Sequence, residues 1–290
     1  WNFQYSAPLS IMGKQYDVSK LPQEVQDDLK DDNMVTLTSA TLYVLKDQPV
    51  VMQMTPKDVI HAFWIPAFRV KQDLLPGRVT TVRFTPTESG EYILECTQLC
   101  GANHGAMRAN VIVVANQTDF DAALMPLMKD IVEPPADPAL RGRKLLESNV
   151  YPCYTCHVLG DLASANWVGN VGPALNGVAD RAATTRAAAT GQTPQQYIYN
   201  AIHEPTAYLV PGYGALMPQL GIPECQVWDI VAYLATQSAT GQPPFKVDIP
   251  PQCAVAGEPP PPAAGAEATA EATVQAEATI EATAEATVAP

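Results

Sequence analysis

The sequence predicts three parts in series: an all-β sandwich or barrel over most of the first 115 residues, an all-α domain, and a disordered tail. Three observations carry this. Short β-branched runs, spaced by Gly, Pro, Asp and Ser clusters, fill the first part. After the Pro-rich piece Glu133 to Pro138 the apolar spacing becomes helical. From Glu258 the chain turns Pro-rich and then repeats Glu-Ala-Thr units, with no apolar stripe wide enough to pack. The expected boundaries are 1–118, a linker at 119–137, 138–240, and 241–290. A length of 290 residues supports two separate cores.

Charge narrows the function classes. With 17 basic against 30 acidic side chains, there is no basic stripe to neutralise phosphates, which excludes nucleic-acid binding. An acidic surface suits a basic protein partner and also serves solubility. No run reaches the roughly 18 apolar residues of a membrane helix, so the chain reads as soluble. It opens at Trp1 without a Met or a signal-like segment, so a segment upstream is expected to have been removed.

Strand-like runs lie at 35–45, 50–54, 58–65, 78–84, 91–96 and 107–114, and 21–32 reads as an acidic surface helix. Between the last two runs lies the most informative stretch. Glu95 to Met107 packs two thiols, an imidazole and a thioether (Cys96, Cys100, His104, Met107) into thirteen residues. Soft sulfur ligands with His select electron-transfer copper. A structural zinc site is disfavoured, since zinc rarely takes Met and no second Cys/His pair lies nearby. A lone His on an apolar strand is usually a core residue. His61 departs from that, because the loop lacks a ligand and a sandwich can bring a strand end beside a distant loop.

With these residues in hand, a family resemblance emerges. The segment His61 to Arg78, with Phe63-Trp64-Ile-Pro66, Arg69, Lys71-Gln72-Asp73 and Pro76-Gly77-Arg78, followed by the Cys96 to Met107 loop, resembles subunit II of haem-copper cytochrome c oxidases. The resemblance implies a cupredoxin-like Greek-key sandwich holding a binuclear copper centre, CuA. It implies Cys96 and Cys100 as bridging thiolates, His61 and His104 as terminal ligands, and Met107 and the Gln98 carbonyl as weak ligands. The opening Trp1-Asn-Phe3-Gln-Tyr5 resembles the aromatic strand after the family's membrane hairpin. Trp1 and Trp64 are then candidate points where electrons arrive, with an aromatic edge strand as the plainer alternative for Trp1. The family pattern breaks at Gln98, where many members carry a Glu that helps hold magnesium, so no magnesium role is implied here. A single blue-copper site using His61, Cys100, His104 and Met107 is the alternative. It leaves Cys96 without a use.

The second domain carries its own motif. A basic-rich helix at 140–149 runs into Tyr151-Pro-Cys153-Tyr-Thr-Cys156-His157. Cys-x-x-Cys-His is the attachment sequence for c-type haem, with two thioether bonds and an axial His. A redox dithiol or half a zinc site would need a βαβ context or a second Cys pair. Beyond His157 the chain has one Met, Met217, and one other His, His203. Met217 sits in a loop before the last helix and is the expected second axial ligand; His203, on a 194–203 helix, is a surface residue or one that supports the haem ligands from behind. The Met217-Pro218 loop and Gly172-Pro173-Ala-Leu175 resemble class I cytochromes c over 138–240. The terminal helix, 224–236, places Val227, Ile230, Val231 and Leu234 on one face.

Cys225 and Cys253 remain. A disulfide tying the Pro-rich segment that follows the domain to its last helix would stabilise by roughly 3–4 kcal/mol and requires an oxidising compartment; two free thiols are the alternative. Together the resemblances imply an electron-transfer subunit of a cytochrome-c oxidase on the extracytoplasmic face of a bacterial membrane, attached through an N-terminal hairpin. Electrons would come from an external donor (a cytochrome, a blue-copper protein or a quinol-oxidising complex), pass through haem c to CuA, and leave to subunit I alongside the other oxidase subunits. A soluble copper-haem shuttle and a nitrogen-oxide reductase subunit are the alternatives.

Overall fold

The structure, a computed structural model, describes residues 1–101, 104–165, 167 and 169–254. The Glu-Ala-Thr tail lies outside the described residues.

The first domain is built from β1 (Phe3–Ala7), α1 (Gln23–Asp32), β2 (Val35–Ser39), β3 (Leu42–Leu45), β4 (Val50–Met54), β5 (His61–Ile65), β6 (Val70–Leu74), β7 (Thr80–Phe84), β8 (Gly90–Cys96) and β9 (Arg108–Val114). Five strands form one sheet in the order β3-β9-β8-β5-β6; β1-β2 and β4-β7 form two-stranded sheets. Among the described strands, only the β3–β9 pairing is parallel. Period-2 alternation drives this arrangement: Ala109, Val111 and Val113 point inward from β9, against Phe63, Ile65 and Leu94. The strand β6 has no apolar alternation, because Lys71, Gln72 and Asp73 are exposed at the sheet edge. Charge on an edge strand blocks pairing with another chain, and it also hides the strand from pattern reading.

The expected linker at 119–137 is largely helix. α2 (Gln117–Val132) starts with Asn116 Oδ1 accepting from the Asp119 amide at 2.9 Å, a side-chain cap. It buries Leu124, Met128 and Val132 against Val25, Val35 and Leu37, so α2 belongs to the first domain's packing. Only 133–137 lacks regular structure. Pro126, inside the helix, and the prolines that follow conceal its length.

The second domain contains α3 (Pro138–Glu147), α4 (Val178–Arg181), a π-helical turn (Ala182–Arg186), α5 (Ala187–Thr190), α6 (Pro194–His203) and α7 (Glu224–Ala235). Its core joins Leu146, Leu159, Trp167, Ile198, Val227 and Val231. The helices α3 and α7 cross at Gly142, where a Cβ would lie 2.0 Å from the Asp229 carbonyl oxygen, so only glycine allows this approach. Beside the crossing, Arg141 Nε donates to both Asp229 oxygens at 3.0 Å, and Arg141 Nη1 donates to the Pro135 and Ala136 carbonyls. One buried guanidinium thus ties the helix pair to the interdomain segment. The domain extends past 240: Phe245 and Val247 pack against its core, and Cys225 and Cys253 form a disulfide with Cα atoms 5.0 Å apart. Among the described residues no helix is long and apolar enough to cross a membrane.

Candidate metal centre and haem site

The β5–β8 register creates the first site. Phe63 pairs with Cys96 and Trp64 with Glu95, which brings His61, at the start of β5, beside the end of β8. The loop after β8 is closed by the Cys96 amide donating to the Met107 carbonyl at 3.0 Å and by the Thr97 amide donating to the Ala62 carbonyl at 3.2 Å. Side chains from the loop and the strand then converge. Cys96 Sγ lies 3.8 Å from His61 Nδ1, 3.9 Å from Cys100 Sγ and 3.3 Å from the Gln98 carbonyl oxygen. Cys100 Sγ lies 3.5 Å from His104 Nδ1 and 3.9 Å from Met107 Sδ. The ligand atoms of His61, Cys96 and Cys100 all fall within 4.8 Å of one another.

This donor set fits a soft metal. A thiolate bond of about 2.3 Å lets one ion reach two sulfurs up to about 4.6 Å apart, so the Cys96 and Cys100 sulfurs can share an ion. Asp58 Oδ1 accepts from His61 Nε2 at 2.8 Å, which leaves the Nδ1 lone pair facing the sulfurs. Burial, and then the neighbouring Cys96, pushes the Cys100 thiol up to about 11. Two adjacent thiols resist ionising together, and a bound cation would remove that penalty. His61 and Cys96 are buried while Leu99, at the loop tip, is exposed.

Trp1 sits against this site. Its indole Nε1 donates to the Met107 carbonyl at 3.4 Å, and its ring meets His61 edge-on at 6.4 Å and Phe63 at 5.8 Å. Trp64 does not join the cluster. It alternates to the face of β5 away from His61 and lies between Lys71 and Glu95 on the neighbouring strands.

The second site lies on a tight turn, Pro152–Thr155, that carries Cys153 and leads into Cys156 and His157. The His157 amide donates to the Cys153 carbonyl at 3.0 Å, and the Gly172 amide donates to the Cys156 carbonyl at 2.8 Å. His157 Nδ1 donates to the Pro173 carbonyl at 2.7 Å, so Nε2 keeps a free lone pair. Burial lowers the His157 pKa, against the opposing effect of the Pro173 contact, and holds the ring in its neutral, ligating form. A Cβ on Gly172 would lie 2.6 Å from His157 Cε1, and one on Gly169 would lie 2.5 Å from the Cys156 carbonyl carbon. Both glycines are therefore part of the cradle, and Gly169 gave no sequence signal. Burial pushes the Cys153 thiol up to about 12. Met217 is half-buried in the loop between α6 and α7, where it lines a hollow with Glu204, Pro205, Thr206, Ala207 and Gln219. The pairing Asp58–His61 was also silent in the sequence; an acidic residue three positions before a candidate ligand is the signal that could have found it.

A soft-metal donor cluster on a β-rich domain, followed by a Cys-x-x-Cys-His turn in a helical one, defines a protein with two candidate redox sites. Comparison with known proteins makes this specific. Residues 1–116 match the family model for the periplasmic domain of cytochrome c oxidase subunit II, and residues 139–238 match that for cytochrome c. The first domain is thus a subunit II periplasmic domain and the second a cytochrome c domain. They point respectively to copper and to haem, and the first to an extracytoplasmic location. Among relatives, the cytochrome c oxidase subunit 2 of Thermostichus vulcanus is 40% identical over 114 residues, covering 39% of this chain and 34% of the relative. That of Alkalihalophilus pseudofirmus is 29% identical over 140 residues, covering 48% and 39%. The solved periplasmic domain of subunit II of cytochrome oxidase (CoxB) of Bradyrhizobium japonicum is 25% identical, covers 46% of this chain and 88% of that one, and superposes with a TM-score of 0.32. The chain spans under two fifths of the length of these two curated relatives.

Proposed function

We propose that this chain is the electron-transfer part of a cytochrome-c oxidase subunit II, receiving electrons in its cytochrome domain and passing them through its copper domain to a catalytic subunit I. The observation that carries the reading is the convergence of four further donor groups on two adjacent sulfurs. Cys96, Cys100, His61 and His104, with Met107 and the Gln98 carbonyl beside them, would hold a binuclear copper centre, CuA. Cys96 favours this over a single copper, since its sulfur touches His61 and the Gln98 carbonyl and would otherwise be idle. Cys153, Cys156, His157 and Met217 would hold haem c, the two thiols through thioether bonds.

When bound, the copper pair and the haem supply one-electron redox chemistry. The protein's part is rigidity. Strand pairing at Phe63–Cys96, the closed loop and the Asp58 contact hold His61 and the thiols in one geometry, so little must move when an electron arrives. At the haem site, Pro173 and Gly172 fix the ring of His157. Trp1, in contact with the Met107 carbonyl, fits a point of electron arrival; Trp64 has no contact that supports that role. The domains fall at 1–132 and 138–254, joined by the short segment 133–137. The disulfide Cys225–Cys253 agrees with an oxidising, extracytoplasmic compartment, and attachment to the membrane is assigned to a hairpin before Trp1.

A rapid-mixing experiment tests the relay. Electrons given to the oxidised chain should appear first in the haem bands and then in the copper bands as the haem reoxidises. Two centres that bleach independently, without exchange, contradict it.

A further inference from the structure

Three aromatic rings stack across α6 and α7. Tyr199 lies 4.7 Å from Trp228 with 27° between the planes, and 5.5 Å from His203 with 14°. His203 is exposed, and Tyr199 and Trp228 are half-buried, so the stack ends at solvent. Glu204 and Glu224 both lie close enough to Tyr199 to act on its hydroxyl electrostatically. The surrounding chain has an unusual charge pattern. From Ala187 to Phe245 there is not one Lys or Arg. Its carboxylates are Glu204, Glu224 and Asp229, and Asp229 is already neutralised by Arg141. Glu204 and Glu224 are exposed and face no cation from their own segment.

The stack also adjoins the loop of Met217. Gln219 Nε2 donates to the His203 carbonyl at 3.1 Å, and Glu204 lines the same hollow as Met217. An aromatic stack that reaches solvent beside two exposed carboxylates receives a Lys or Arg side chain by two routes, ion pairing at the carboxylates and packing of the apolar stem against the ring edges. Tyr and Trp are also the residues that most often anchor protein interfaces.

We infer that the His203–Tyr199–Trp228 stack, with Glu204 and Glu224, is the docking surface for a basic electron-donor protein, whose Lys or Arg side chains meet the carboxylates and the ring edges. The inference rests on the reading of Met217 as a haem ligand, because that ligation makes the neighbouring surface a short route to the iron. No bond is made or broken at the surface; the donor loses one electron and the haem gains it.

The test uses the full chain with both cofactors and, as probe, a reduced lysine-rich cytochrome c. In rapid mixing at an ionic strength of about 20 mM, Glu204→Gln/Glu224→Gln should lower the second-order rate of haem reduction by about five- to tenfold. The gap should close near 500 mM salt, where surface charges are screened. Tyr199→Leu should lower the rate at both salt concentrations. Reduction by dithionite, which needs no docking surface, should be unchanged in all variants and reports that the domain is intact. A double Glu variant, or a Tyr199→Leu chain, that reacts at the wild-type rate at low salt overturns the inference. Failure of the Met217 reading shows separately, as a wild-type haem spectrum without a low-spin His/Met signature before any donor is added.

Discussion

His61 Nε2 donates to Asp58 Oδ1 at 2.8 Å, and this contact decides which nitrogen of the ring meets the two thiols. With Nε2 engaged, Nδ1 faces Cys96 Sγ at 3.8 Å. Asp58→Asn keeps the shape but removes the charge that raises the basicity of the ring. Copper affinity should fall about 10- to 100-fold, measured by competition with a chelator. An unchanged affinity would show that the strand alone orients His61.

Gly172 is predicted to tolerate no side chain. Its Cβ would stand 2.6 Å from His157 Cε1, so Gly172→Ala forces the imidazole away from the Pro173 carbonyl. The expected result is a loss of low-spin haem in the visible spectrum, with destabilisation of about 1–3 kcal/mol. A wild-type spectrum would mean that the loop yields instead of the ring.

The Arg141–Asp229 pair should behave as a buried ion pair. Both side chains are buried, and removing one leaves the other charged and uncompensated. Arg141→Met should cost about 3–5 kcal/mol in denaturant unfolding of the second domain. The double variant Arg141→Met/Asp229→Leu should recover part of that loss, and additive losses would argue against coupling between them.

What was legible in the sequence was chemistry held within short stretches. The Cys96 to Met107 loop keeps four candidate ligands within one turn between strands, and Cys153 to His157 keeps three within five residues. His61 required the added idea that a sandwich brings a strand end to a distant loop, which the β5–β8 register does. Less legible were elements whose burial depends on partners far along the chain. The strand β6 is polar because it is an edge. The helix α2 holds Pro126 yet packs on β2, and the segment from Phe245 to Cys253 packs through two apolar residues and a disulfide. Asp58, Gly169 and Asp229 act through contacts that residue type alone does not announce.

Metal content read together with the visible and near-infrared spectrum of the purified chain tests the central claim most directly. Two thiols that share His61, His104, Met107 and the Gln98 carbonyl predict two coppers for each haem iron and a purple, mixed-valence copper signal beside a low-spin c-type haem. One copper per iron, with a blue single-copper spectrum, would contradict the account.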